Sequence, residues 1–589
     1  MPRIAIDPVT RIGGQLRVEV EVTDGVVSDA WSSGTAFRGL ERILQGRDPR
    51  DAWLFAERIC GVCSGVHALA SVRAVERALG VTVPRNARLI RNILAGTRYV
   101  QDHVVGFYHR QALDWVDVTA AASADPAATS RLARSLSDWP DSSVASFQAA
   151  RDRLAAAIRS GQLGPFANGY GGHPAYTLAP EAGLMVMAHY LRALDWQRTP
   201  TQITTLLGGK DPHPQAFLVG GMVLVPDWGG PRPAGSEHPQ QVDRASPSAL
   251  GERGLAELVG LVATVKAFVD EVYRPDVLAV AGHYRDWAAT GQGIGDYLAY
   301  GEFPEDDTAQ PSLLLPGGRI VKRATARTEP IDQAAIGETV AYSHYTYGGD
   351  DTASKHPFDG RTDPRYDGPP LPYATLQGAA RYSWVKAPRY QGGPMEVGPL
   401  ARMLVASVEG QVDVRAGLGR AFTTLEASPD LLYGTIGRTV ARAIEAQVIA
   451  DRLGRWLNDL RAGLAGGDLA VADLGRWDPA AWPSEARGYA LGESPRGALG
   501  HWVTIRDRRI ASYQVVDATT WNASPRDASG RRGALEEALV GTPVARPDQP
   551  VEILRTVHSF DPCLACAVHA VGRESGGAIA IRVRKGGAG

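Results

Sequence analysis

The chain has 589 residues, enough for several domains or for one large core with long insertions, and so enough to bury a deep site. Lys and Arg number 62 against 64 Asp and Glu, a formal charge of −2, and no run of like charge is long enough to track a phosphate backbone, so nucleic acid is not expected as a partner. No apolar run approaches the ~18 residues of a membrane span, and MPRIAIDPVTRIGG lacks the apolar core of a secretory signal, so the chain reads as soluble, cytoplasmic or membrane-associated only through partners.

LRVEVEV (16–22) alternates with period two, Asp24-Gly25 is a turn, and VVSDAW follows, which predicts a β-hairpin over about 14–31. Apolar residues at Val66, Leu69, Val72, Val75 and Leu79 predict a helix over 64–79, and a similar stripe behind Pro84 predicts another to about Trp115. Stretches 226–248 and 303–372 are rich in Pro, Gly and Asp and read as long loops, plausible contact surface for a partner. A further helix is expected over 431–464, and HWVTIRDRRIASYQVV (501–516) is strand-like. GQGIGDY (291–297) lacks the glycine spacing and the preceding strand of a dinucleotide fingerprint.

The four cysteines form two CxxC pairs, Cys60/Cys63 in ERICGVCSGVH and Cys563/Cys566 in DPCLACAVH, about 500 residues apart. A disulfide scaffold is implausible in a chain this large with no other cysteine. Three readings of the spacing stand: a structural zinc site joining the two ends, a nucleophile elbow in GVCSG (61–65), or a redox metal. Apolar Val62, Val66 and Leu564, with His67 and His569 downstream of the pairs, favour a metal in a dry pocket. Iron–sulfur clusters need cysteines of their own, and no others remain here. Electron-transfer chemistry would therefore need a second polypeptide.

These residues resemble the large subunit of nickel-iron hydrogenases. The likeness runs through DPVTRI (7–12), FRGLERIL (37–44), GGKDPHPQ (208–215), YSWVKAPRYQGGPMEVGPLAR (382–402), ESPRGALGHW (493–502) and TTWNASPRD (519–527). The resemblance implies an α+β fold, mainly helical, with a long-helix bundle core and small peripheral β-sheets, and both CxxC motifs meeting at a buried metal site. It implies one domain over 1–569, with a helical core at about 50–200 and 400–465 and a C-terminal metal-binding region at about 490–569. Cys60 and Cys563 would be terminal nickel ligands, and Cys63 and Cys566 would bridge nickel to an iron carrying carbon monoxide and cyanide. Cys563 would be the proton acceptor. Asp102, Pro495, Arg496 and Asp561 would form a polar canopy, with Arg496 and Thr519 binding cyanide and His67 bonding a bridging sulfur. Glu41, the Val515 carbonyl and His569 would hold magnesium (or iron). Without the resemblance, Glu41 reads as a helix-surface carboxylate, His67 as a buried structural histidine and Arg496 as a surface-loop arginine.

The implied activity is heterolytic H2 cleavage, in the uptake direction, with electrons passed to an iron–sulfur small subunit; this chain would hold no iron–sulfur cluster itself. The alternative is a low-turnover H2 sensor with the same centre. A quinone-module relative is disfavoured because all four cysteines are present. Nickel-insertion proteins and a maturation endopeptidase, cutting between His569 and Ala570, would act on a precursor tail at 570–589. Several positions depart from the family's pattern, among them Gln15, where R-I-E-G-H has histidine, and Ala518, which replaces a usual proline before Thr519. Gly13 stands where R-I-E-G-H has glutamate, so the first proton relay is missing and Gly13→Glu is expected to speed turnover. Gly106 replaces a common histidine. Arg110 replaces a leucine and is expected to snorkel outward.

Overall fold

The computed structural model describes residues 3–37, 39–227, 249–308, 310–368 and 375–567. The opening alternation folds as a hairpin, with a strand in front of it. β1 (Arg3–Ile6) pairs antiparallel with β2 (Leu16–Thr23), and β2 with β3 (Val26–Gly34). Leu16, Val18, Val20 and Val22 form the core face of β2, as period-two alternation requires.

α1 (Ser64–Leu79) ends at Gly80, whose φ of 66° supplies the left-handed cap. α2 (Arg85–Val105) runs into a π-helical turn, Gly106–Gln111, and a last turn, Ala112–Trp115, so the helix expected from Pro84 to Trp115 is present with a distortion that periodicity does not show. α3 (Thr435–Ala465) has 31 residues, roughly 46 Å at 1.5 Å per residue, and packs along α2. Where they touch, a Cβ on Gly96 would stand 3.0 Å from Leu453 Cδ2 and from Trp456 Cζ3, so any larger residue would have to push these side chains back. Ile90, Ile93, Val100 and Val104 of α2 and Val440, Ile444, Ile449 and Leu453 of α3 belong to the main apolar core.

β4 (Glu485–Ser494), β5 (Gly497–Arg506) and β6 (Arg509–Val516) form an antiparallel meander lying on α1. The strand-like stretch 501–516 is thus a hairpin, broken at Asp507-Arg508, where φ of 50° and 63° matches the right-handed twist of the flanking strands. α4 (Ala518–Asn522), α5 (Val551–Ser559) and α6 (Leu564–Ala567) complete the described chain. Helices carry most of the regular structure and every sheet has two or three strands, which is the α+β class expected.

The stretch 303–372 is more ordered than its composition implies. It contains short strands, among them Ile336–Thr339 paired with Ala387–Tyr390 and Tyr345–Thr346 paired with Asp363–Pro364. Residues 228–248 of the other expected loop, and His569 and the 570–589 tail, lie outside the described residues. No described helix is long and apolar enough to cross a membrane.

The two ends of the chain are knitted together. Gly13 pairs as a parallel bridge with Cys563, Leu564 N donates to Gly13 O at 2.6 Å, and Val27 N donates to Thr542 O at 2.9 Å. This juxtaposition positions the site.

Candidate metal centre

Cys60 leaves the turn Glu57–Ile59 in an extended conformation, and Cys63 is the N-cap residue of α1. The CGVC turn folds the Val62 and Cys63 amides onto Cys60 Sγ, each at 3.2 Å. From the other end, Asp561 turns the chain at φ 50° and Cys563 and Cys566 enter beside them. Sγ separations are 3.5 Å for Cys60–Cys563, 3.1 Å for Cys63–Cys566 and 3.2 Å for Cys563–Cys566, and all four sulfurs are buried within 4.8 Å of one another. Four buried thiol sulfurs this close together are a soft-metal donor set. Contacts from the Cys563, Cys566 and Cys63 sulfurs, with the charge of Arg496, hold the Cys60 thiol well below its usual pKa, while burial pushes Cys566 up. Loading a metal would therefore release protons. A cysteine elbow does not fit, because Cys63 faces other sulfurs and His67 Nδ1 is engaged by His501.

Charged groups cluster beside the sulfurs. Arg496 Nη1 lies 2.8 Å from Asp102 Oδ2, its Nη2 3.3 Å from Asp561 Oδ2, and its Nε donates to Asp561 O at 3.0 Å. Arg110 corrects the expectation that it snorkels outward. Its side chain is 11% exposed, Nη2 lies 2.7 Å from Asp102 Oδ1, and Nη1 lies 2.8 Å from both oxygens of Asp561. Two buried carboxylates recover more by pairing than the guanidinium gains from water. Burial alone would raise the Asp102 pKa, but Arg496 and Arg110 together hold it well below the carboxylate range. Arg442 of α3 adds a third cation, Nη1 3.6 Å from Asp561 Oδ2. No motif pointed to it, although Arg438, Arg442 and Glu445 at i, i+4 and i+7 put a charged stripe on the otherwise uncharged stretch 435–450.

The turn that presents Arg496 is held from behind. Arg402 donates to the Ser494 and Pro495 carbonyls at 2.9 and 3.0 Å and pairs with Glu445 and Glu493, all fully buried. Thr519 Oγ1 accepts the Cys563 amide at 3.0 Å, so its own proton points elsewhere. His67 is the end of a chain that sequence reasoning missed: His67 Nδ1 to His501 Nε2 at 3.2 Å, His501 Nδ1 to Tyr513 OH at 2.8 Å, and Tyr513 OH donating to Ser71 Oγ at 2.8 Å.

Glu41 and Val515 do meet. The Val515 amide donates to Glu41 Oε1 at 3.0 Å, and Thr362 Oγ1 donates to Glu41 Oε2. Glu338, brought in by the region read as loop, and Glu41 are two buried carboxylates facing one ammonium, Lys386, at 3.6 and 4.0 Å. Both Glu338 oxygens lack a hydrogen-bond partner among the described residues. A cavity of about 460 Å³ opens beside Glu41, Thr362 and Gln514.

The sequence matches the family described as Nickel-dependent hydrogenase over residues 38–569. It is 46% identical to the Hydrogenase-1 large chain of Citrobacter freundii and 45% identical to the uptake hydrogenase large subunit of Rhizobium leguminosarum bv. viciae, each alignment covering 99% of this chain and 97% of the relative. Among solved structures, the NiFeSe hydrogenase of Desulfovibrio vulgaris Hildenborough superposes with a TM-score of 0.74 at 32% identity, covering 96% of this chain and 99% of that one. The NiFeSe hydrogenase of Desulfomicrobium baculatum gives 0.72 at 33%, covering 96% and 100%. Soft, crowded, buried thiolates from both ends of the chain are the donor set a nickel–iron centre needs, and the chain belongs to the nickel-dependent hydrogenase family, oxidoreductases acting on H2.

Proposed function

We propose that the chain is the catalytic subunit of an uptake hydrogenase, splitting H2 heterolytically and passing its electrons to a small subunit that carries iron–sulfur clusters. One observation carries this reading: four buried sulfurs drawn from the two ends of the chain lie within 4.8 Å of one another. When bound, a nickel–iron pair with carbon monoxide and cyanide on iron supplies Lewis acidity toward H2 and takes up its electrons. Cys60 and Cys563 would hold nickel, Cys63 and Cys566 would hold nickel and iron, and Cys563 Sγ would take up the proton. Arg496, whose pKa is raised by Asp102 and Asp561 against the opposing effect of burial, stays protonated and serves as a donor, not a base. Arg496 and the Thr519 hydroxyl would orient cyanide, Asp102, Pro495 and Asp561 would keep the canopy polar and ordered, and His67 would bond a sulfur of the centre.

Glu41, the Val515 carbonyl and His569 hold a magnesium or iron ion, a reading supported by the excess of buried carboxylate oxygen there. All four cysteines serve one centre, so the cluster-bearing partner is a separate chain. Residues 1–569 form the functional unit, and 570–589 are removed by an endopeptidase after nickel insertion. The sensor alternative rests on Gly13 alone, and relatives named uptake hydrogenases favour catalysis.

The test is elemental analysis and infrared spectroscopy of the anaerobically purified complex. Nickel and iron with carbon monoxide and cyanide bands are expected, and Cys563→Ser should lose nickel and at least a hundredfold of H2 oxidation. Zinc alone in an active protein would sink the reading.

A further inference from the structure

We propose that Arg110 is a positioning residue of the metal centre, which closes a ring of alternating charges over the sulfurs and sets the field in which the centre changes oxidation state. The proposal rests on the nickel–iron reading and adds to it a role for a residue outside the donor set.

The ring is geometric. Arg110 joins Asp102 at 2.7 Å to Asp561 at 2.8 Å, and Arg496 joins the same two carboxylates at 2.8 and 3.3 Å. Each aspartate is thus clamped between two guanidiniums, and Arg442 approaches Asp561 from α3 at 3.6 Å. Three guanidiniums face two carboxylates, an excess of one positive charge beside the sulfurs. In a site this dry, a fixed charge is felt far more strongly than in water. A fixed cation stabilises the more reduced state of a nearby redox centre, and so raises its potential.

The local sequence is arranged to deliver this side chain. Long helical side chains point back toward the helix N-terminus, so Arg110 runs back toward Asp102 across Gly106. A Cβ at Gly106 would lie 3.7 Å from Arg110 Nη1, ordinary contact, whereas a bulky side chain would stand in the guanidinium's path. The π-helical turn over Gly106–Gln111 carries both residues, and such turns concentrate at functional sites. Gly106 and Arg110, separate oddities in the sequence, are two halves of one device. Arg11 pins its backbone, donating to the Arg110 carbonyl at 2.6 Å while paired with Asp114. A lysine would not replace it fully, because one ammonium lacks the planar fork that reaches two carboxylates.

The test uses the assembled enzyme with Arg110→Leu, Arg110→Lys, Gly106→Ala or Gly106→His, reading nickel content, the carbon monoxide and cyanide band positions, and the midpoint potential by redox titration. Arg110→Leu should lower the midpoint by about 59 mV, a tenfold change in a one-electron equilibrium, and shift the bands. Arg110→Lys should recover part of the shift. Gly106→Ala should match wild type, and Gly106→His should reproduce Arg110→Leu by displacing the guanidinium. Wild-type potential and bands in nickel-replete Arg110→Leu would overturn the proposal. Should Arg110→Leu fail to load nickel, wild-type values in both Arg110→Lys and Gly106→His would overturn it equally. A wild-type enzyme lacking nickel and these bands would remove the nickel–iron reading and this proposal with it, an outcome distinct from unshifted variants.

Discussion

Gly13 shows how tightly the sulfurs are boxed. A Cβ there would stand 2.8 Å from Cys563 Sγ, closer than side-chain atoms tolerate. The neighbouring backbone has no slack, because Leu564 N is bonded to Gly13 O at 2.6 Å. Gly13→Ala should therefore cost about 1–3 kcal/mol as an overpacked site does, and lower nickel per chain severalfold by pushing Sγ from the position that nickel needs. Elemental analysis and thermal melts check this; unchanged nickel and melting temperature would mean that the sulfur yields freely. A carboxylate placed at 13 to restore a proton relay meets the same sulfur, so faster turnover from Gly13→Glu requires Cys563 to move first. The cysteines themselves were legible, since residue type and CxxC spacing announce soft-metal chemistry. Arg110 was not, because its inward orientation is decided by Asp561, 451 residues away along the chain.

Between elements, buried titratable groups act as fasteners. Glu536, on the short helix Ala534–Leu539, accepts the Ser32 amide of β3 at 2.9 Å and the Tyr382 hydroxyl at 2.8 Å. Burial pushes its pKa up to about 7. The folded chain thus keeps a proton that the unfolded chain gives up near the ordinary carboxyl value, so this contribution is full at low pH and is lost as pH rises from about 4.5 to about 7. Glu536→Gln removes the titration. Its stability relative to wild type should rise by on the order of 2–3 kcal/mol between pH 5 and 8, read from melting curves; parallel curves would refute the assignment. Legibility at this scale followed pattern length. α1, α2 and the β2–β3 hairpin repeat their periods often enough to be read. Ile336–Thr339 spans four residues and finds its partner only at Ala387–Tyr390, so composition suggested a loop where a ladder exists.

At the scale of the whole molecule, the chain closes on itself: β2 and β3 share an apolar cluster with α5 and α6, and His558 Nε2 bonds Thr10 O at 2.9 Å. The meeting of the two ends could be anticipated, because one metal site needs both cysteine pairs, but the backbone bridge between Gly13 and Cys563 could not. The same closure bears on the tail. Cys566 and Ala567 are buried, and the proposed tail carries Arg573, Glu574, Arg582, Arg584 and Lys585. Desolvating such charges without partners is prohibitive. On the reading proposed above, a chain ending at His569 has no such burden, and its imidazole and terminal carboxylate would serve a cation shared with Glu41 and Val515. Because a metal that binds only the folded chain adds its binding energy to stability, removal of the tail should raise the melting temperature together with the fixed metal content. Intact-mass measurement of the active large subunit should therefore end at His569, while nickel-free protein should retain residues 570–589. An active, nickel-replete subunit of full length, melting no lower than a processed one, would show that the tail has no part in closing the site.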